Sequence, residues 1–273
     1  MSPVIIFSNY KNANIVDGES VTASVSSADP ADPVSVALDD GVAVITINRP
    51  HARNSIAPET MEQLDHALDE VAGARALVLT GAGDRAFVSG GDLKQLATIR
   101  TEADACAMAW RMRSLCDRIA AFPAPVIAAL NGHALGGGAE VAVAADIRVA
   151  ADDIRIGFNQ VALAIMPAWG GAERLAALVG RSQALLLAGS GTLLDAPAAE
   201  RLGLVNRVVS RDSFDEEWRT LARTLACPPA GEIKRVLAGA SAEEAVSAFA
   251  RLWVSDEHWA AADRAEKQRR RRG

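Results

Sequence analysis

Two glycine-rich stretches hold the residues best suited to chemistry. They are Phe87-Val88-Ser89-Gly90-Gly91-Asp92-Leu93-Lys94 and Asn131-Gly132-His133-Ala134-Leu135-Gly136-Gly137-Gly138-Ala139-Glu140. Glycine lets a backbone N–H approach a ligand with no Cβ in the way, and preset N–H donors stabilise charge that develops on a carbonyl oxygen. The pair therefore reads as a two-part oxyanion hole. Glu140 closes the second stretch with an ionisable group, and a buried carboxylate of this kind is seldom idle, because burying a charge without partners is costly.

The elements that must position these stretches follow from local pattern. Val34-Ser35-Val36-Ala37-Leu38 and Val42-Ala43-Val44-Ile45-Thr46-Ile47 read as strands around the turn Asp39-Asp40-Gly41. From Pro58 the apolar residues Met61, Leu64, Leu68 and Val71 recur at helical spacing, with Gly73 as a stop. Ala76 to Thr80 is a short buried-type strand leading to the first glycine stretch. Thr101 to Phe122 reads as a long helix that Pro123-Ala124-Pro125 ends, and Val126 to Leu130 is a second short strand leading to the second stretch. A helix running through Glu140 to Ala145 puts Gly136 to Gly138 at its positive N-terminal end. Further strands are expected at Asp146 to Ala150 and Ile154 to Ile156, then a helix from Gly170-Gly171 through Leu178. After Val205-Asn206-Arg207-Val208-Val209 the chain reads as helical to its end. The class is α/β, with no long internal repeat visible. Residues 1–33 are expected to be a flexible extension, 34–206 the core that carries the site, and 207–273 a helical C-terminal region.

Composition excludes several functions. The chain of 273 residues is 50% apolar with a formal net charge of −6, so it can bury a large core and shows no basic stripe for nucleic acid. The basic run Arg269 to Arg272 reads as a solvated helix end. Three cysteines, Cys106, Cys116 and Cys227, make no disulfide framework, and no segment has the apolar length to cross a bilayer. A cytoplasmic protein is expected. No His/Cys/carboxylate spacing suggests a metal, and Ser89 has no evident base beside it.

The ordered motifs resemble those of the crotonase, or enoyl-CoA hydratase/isomerase, superfamily. They run from about Val42 to Glu266: Ile45 to Pro50, Ala52-Arg53-Asn54, both glycine stretches, Asp146-Ile147-Arg148, Pro167-Ala168-Trp169-Gly170-Gly171 and Gly203-Leu204-Val205. The resemblance implies a spiral of ββα units and a C-terminal helical region used for assembly into a trimer or a dimer of trimers. It also implies an acyl-CoA thioester as substrate, with coenzyme A as part of that substrate and no tightly bound cofactor. By position, Gly91 and Gly137 match the residues whose N–H groups hold the thioester oxygen. Arg53 and the segment Ser89, Asp92, Leu93 and Lys94 match positions near the CoA chain and its phosphates. Arg53 and Lys94 also read as plain surface charges.

Glu140 matches the first of two hydratase carboxylates, and the second position holds Gln160. Glutamine has nearly the shape of glutamate but exchanges no proton at neutral pH. Decarboxylation of a malonyl-type thioester tolerates that loss, since departure of carbon dioxide itself generates the enolate. Met166 to Gly171, taken with Gly136 to Glu140, also resembles the ethylmalonyl-CoA decarboxylase branch more than mitochondrial hydratases. Trp169 reads either as core packing or as a pocket wall that limits acyl size, with Gln160 as a hydrogen-bond partner for substrate. A lyase of decarboxylase type is expected. The alternatives are an enoyl-CoA hydratase or double-bond isomerase, and a catalytically silent acyl-CoA-binding protein.

Overall fold

Asp40 and Gly41 both take positive φ, 45° and 77°, which suits a two-residue hairpin turn with the twist of its flanking strands. They join β2 (Val34–Asp39) to β3 (Val42–Ile47), whose register pairs Asp39 with Val42 and Val34 with Ile47. The computed structural model describes residues 25–27 and 32–272. Within the expected 1–33 extension, β1 (Val25–Ser27) pairs antiparallel with β2. The rest of that extension, apart from residues 32 and 33, lies outside the described residues, and so does its expected flexibility.

Past this hairpin, α1 (Pro58–Glu70) starts with Pro at its first turn and buries Met61, Leu64, Ala67 and Leu68, as its apolar spacing requires. Three ββα turns follow. They are β4 (Ala76–Gly81), β5 (Ala86–Val88) and α2 (Glu102–Ala120); β6 (Val126–Leu130), β7 (His133–Leu135) and α3 (Gly137–Ala144); then β8 (Ile147–Ala151), β9 (Arg155–Gly157) and α4 (Gly171–Val179). In each turn the first strand joins a seven-stranded sheet of order β1-β2-β3-β4-β6-β8-β11, and the second joins a four-stranded sheet of order β10-β9-β7-β5. Here β10 is Leu194–Asp195 and β11 is Arg207–Val209. The chain thus winds as a spiral. β6 is buried at every residue, as expected of a parallel strand covered on both faces.

This winding places the site. β5 and β7 pair in parallel, so the segments leaving their C-terminal ends, Ser89 to Gly91 and Gly136 to Gly137, emerge side by side. Ligands of parallel α/β sheets gather beyond such strand ends for the same reason.

Beyond α4 come α5 (Arg181–Ser190) and α6 (Ala196–Arg201), and α6 leads into β11. β11 pairs in parallel with β8 and so belongs to the large sheet. Helix alone therefore begins later than residue 207, at α7 (Phe214–Leu225), because the β-branched Val208 and Val209 complete the sheet edge. α7 buries Phe214, Trp218 and Ala222, and packs across β4, β6 and β8. α8 (Pro228–Leu237), α9 (Ala242–Trp253) and α10 (Asp256–Arg272) continue the chain. Trp253, His258 and Trp259 cluster with both tryptophans about half-exposed, His258 tilted over Trp253 and Trp259 edge-on to both. On α2, Cys106 is exposed and Cys116 is buried. Among the described residues, no helix is long and apolar enough to cross a membrane.

Candidate active site

Gly91 follows β5 in a loop held from both sides. Ile56 N–H donates to the Gly90 carbonyl at 2.8 Å, and Asp92 N–H donates to the Ile56 carbonyl at 2.8 Å. The N–H of Gly91, between them, points the other way and has no described partner. Gly137 opens α3, where the first N–H groups of a helix lack an intrahelical acceptor. The two segments abut: a Cβ built on Gly90 would lie 3.3 Å from the Gly137 nitrogen.

Asp92 is turned inward toward Arg49. Its carboxylate pairs with Arg49 at 2.8 Å, meets Ser55 Oγ at 3.3 Å, and accepts from the N–H groups of Lys94 and Gln95. The Arg49 guanidinium beside it holds its carboxyl below the usual aspartate range. Asp92 thereby anchors the Gly91 loop. Two asparagines secure the approach to it. Asn54 Nδ2 donates to the Ala82 and Ala86 carbonyls, while Asn131 Nδ2 donates to Gly83 O and its Oδ1 accepts from Gly81 N–H.

Glu140 stands in the first turn of α3 and is only 2% exposed. Its Oε1 accepts from Gln160 Nε2 at 2.9 Å, and its Oε2 accepts from Trp169 N–H at 2.7 Å and Gly171 N–H at 3.0 Å. These last donors sit at the positive N-terminal end of α4, which favours the anion. Burial works against them, and its effect is the larger, so the Glu140 carboxyl is raised above its ordinary value. The close fit explains Gly171, where a Cβ would crowd the Glu140 side chain. Gln160 Oε1 is buried without a protein partner.

The Trp169 indole packs on Gly137 and extends toward Gly91. A Cβ on Gly137 would fall at 2.9 Å or less from Cε3, Cζ3 and Cη2 of the ring, and one on Gly91 would fall 4.0 Å from Cζ2. Trp169 is therefore buried, at 7% exposure, against Gly137. Of the other residues singled out by sequence, Arg53 and Ser89 line a neighbouring cavity of about 520 Å³. Leu93 and Lys94 are exposed and stand outside its wall.

Sequence reasoning missed the other walls of that cavity. Arg85, His133 and Arg211 come from three separate segments and face it with Arg53. Arg211 is paired with Asp153, whereas Arg53 and Arg85 have no ion pair among the described residues. His133 Nδ1 accepts from Arg155 N–H, which leaves Nε2 as the ring's proton-bearing nitrogen. Arg49, which anchors Asp92, gave no signal beyond its place before Pro50.

A spiral of ββα units with N–H donors at adjacent strand ends and a buried glutamate defines an enzyme of the crotonase class. The enoyl-CoA hydratase/isomerase family model matches residues 38–248, and the chain belongs to that family. It is 40% identical over 198 residues to a probable enoyl-CoA hydratase of Bacillus subtilis, covering 71% of this chain and 76% of that one. It is 39% identical over 187 residues to the short-chain-enoyl-CoA hydratase of Clostridium acetobutylicum, covering 67% and 71%. Among solved structures, the enoyl-CoA hydratase of Bacillus anthracis superposes with a TM-score of 0.80 at 28% identity, covering 86% of this chain and 96% of that one. That of Thermoplasma volcanium gives 0.77 at 31% identity, covering 86% and 97%.

Proposed function

We propose that this chain binds an acyl-CoA thioester, stabilises its enolate on the N–H groups of Gly91 and Gly137, and moves a single proton through Glu140. The observation that carries this reading is the Glu140–Gln160 contact. Every donor around Glu140 is an amide N–H, so no second group in the pair can exchange a proton. Arg53 and Arg85 in the adjoining cavity, which Asp84 and the Arg211–Asp153 pair also line, suit the phosphates of CoA.

A lyase reaction of decarboxylase type needs only these parts. The Cα–carboxylate bond breaks, its electron pair enters the thioester as an enolate held by the two glycines, and carbon dioxide leaves. Glu140 then gives its proton to Cα and recovers one from solvent. Burial, which raises the Glu140 carboxyl above its ordinary value, acts in the direction that favours its acid form.

The names of the relatives favour a second reading, an enoyl-CoA hydratase in which Glu140 both takes the proton of water and returns it to Cα. Turnover of methylmalonyl-CoA and ethylmalonyl-CoA, followed beside hydration of crotonyl-CoA, separates the two. Release of carbon dioxide with little hydration supports the lyase, and efficient hydration by the wild type overturns it. Under either reading Glu140→Gln abolishes turnover, and retained activity in that variant removes Glu140 from the mechanism. Gln160→Glu places two carboxylates 2.9 Å apart, raises the pKa of one, and should increase hydration of crotonyl-CoA. Cytoplasmic location and assembly as a trimer or dimer of trimers belong to the same proposal. Sedimentation would show the trimer, and a monomer would refute it.

A further inference from the structure

We infer that Trp169 sets the acyl size this site admits and restricts the substrate to CoA thioesters of short acyl groups; this rests on the acyl-CoA reading above. The ring packs directly on Gly137 and its Cζ2 edge reaches to 4.0 Å from where a Cβ on Gly91 would stand, beside the N–H groups that would hold the thioester oxygen. Acyl carbons next to that oxygen must share the space the indole fills, so the ring turns aside before a thioester can seat.

The backbone of Trp169 cannot make that movement. Its N–H is bonded to Glu140 Oε2 at 2.7 Å, and its carbonyl accepts from Arg174 Nη1 at 3.2 Å. Gly170 follows with φ of 87°, packed against the Arg174 guanidinium. Only the side-chain torsions are free. The displaced ring therefore stays tethered beside Glu140 as one wall of the acyl pocket. Leu96 borders the other glycine, with its Cδ1 2.9 Å from where a Cβ on Gly91 would stand. Each added methylene of a longer acyl chain competes with the indole for the same volume.

The test measures binding, so it does not depend on which reaction the enzyme performs. Wild type, Trp169→Phe and Trp169→Ala are titrated calorimetrically with free CoA, butanoyl-CoA and octanoyl-CoA, after circular dichroism confirms their folds. Wild type should bind butanoyl-CoA at least about tenfold more tightly than octanoyl-CoA, and Trp169→Ala should erase or invert that preference. Trp169→Phe should fall between them, and it decides the matter if the alanine variant fails to fold. Affinity for free CoA should stay within about twofold throughout, since the ring lies on the acyl side. An unchanged butanoyl-to-octanoyl ratio in the folded variants overturns the role of Trp169 while leaving the acyl-CoA reading intact. Absence of binding by free CoA and by both thioesters overturns that reading and this one together.

Discussion

Packing of the Trp169 ring on Gly137 makes a quantitative expectation about stability that can be separated from catalysis. In Gly137→Ala the new methyl arrives within 2.9 Å of three ring carbons, closer than carbon atoms tolerate. The ring must retreat by about 1 Å, and such overpacking costs about 1–3 kcal/mol. Trp169→Ala by itself removes a buried aromatic and costs about 3–5 kcal/mol. In the double variant the methyl meets no ring, so its cost should vanish and the total should fall short of the sum by about 1–3 kcal/mol. Gly138→Ala is the control, because its Cβ would overlap the Val88 carbonyl in the backbone of β5, which no change at Trp169 relieves. That variant should combine with Trp169→Ala additively to within about 0.5 kcal/mol. Urea unfolding followed by circular dichroism supplies the four-variant cycle for each glycine. Additivity for the Gly137 pair would refute the placement of the ring.

Three further outcomes follow from the buried polar groups. Glu140 keeps its proton to higher pH in the native state than in the unfolded chain, so the stability it contributes is full below its ordinary value of 4.5 and is lost as pH rises through the raised native value. Glu140→Gln should flatten that decline in unfolding free energy above pH 4.5, and an unaltered slope would exclude the carboxyl as its source. Asp92→Asn leaves Arg49 without its partner in a part-buried site and should destabilise by about 3 kcal/mol, with a weaker thioester-binding response as the Gly91 loop loosens; chemical unfolding and calorimetry check both effects. The Cys116 thiol is pushed up to about 12 by burial, so mass spectrometry after brief thiol alkylation at pH 8 should find Cys106 modified and Cys116 intact.

Much of the fold was legible because its signals are local. The β2–β3 hairpin shows in two runs of β-branched residues around Asp40-Gly41, and α1 in the spacing of Met61, Leu64 and Leu68. The ββα repeat was not legible as a repeat. Its second strands are three residues long, too short to carry a countable period, and its turns share a geometry without sharing a sequence. The boundary expected at 206 missed β11 for a related reason: Arg207 to Val209 becomes a strand only because β8 offers a free edge.

By itself the sequence determined the chemical inventory: glycines where N–H groups must approach a ligand, one glutamate able to move a proton, and a glutamine where a second would be needed. It also determined that these stand at the ends of short buried strands, since composition and period act over a few residues. The tertiary structure alone decided how those groups meet. Parallel pairing of β5 with β7 sets Gly91 beside Gly137, an ion pair across 43 residues turns Asp92 inward to Arg49, and the segment leading into α4 lays the Trp169 ring on Gly137. Such contacts join residues far apart in the chain, and their free energy comes from burial and electrostatics that exist only once the segments have packed.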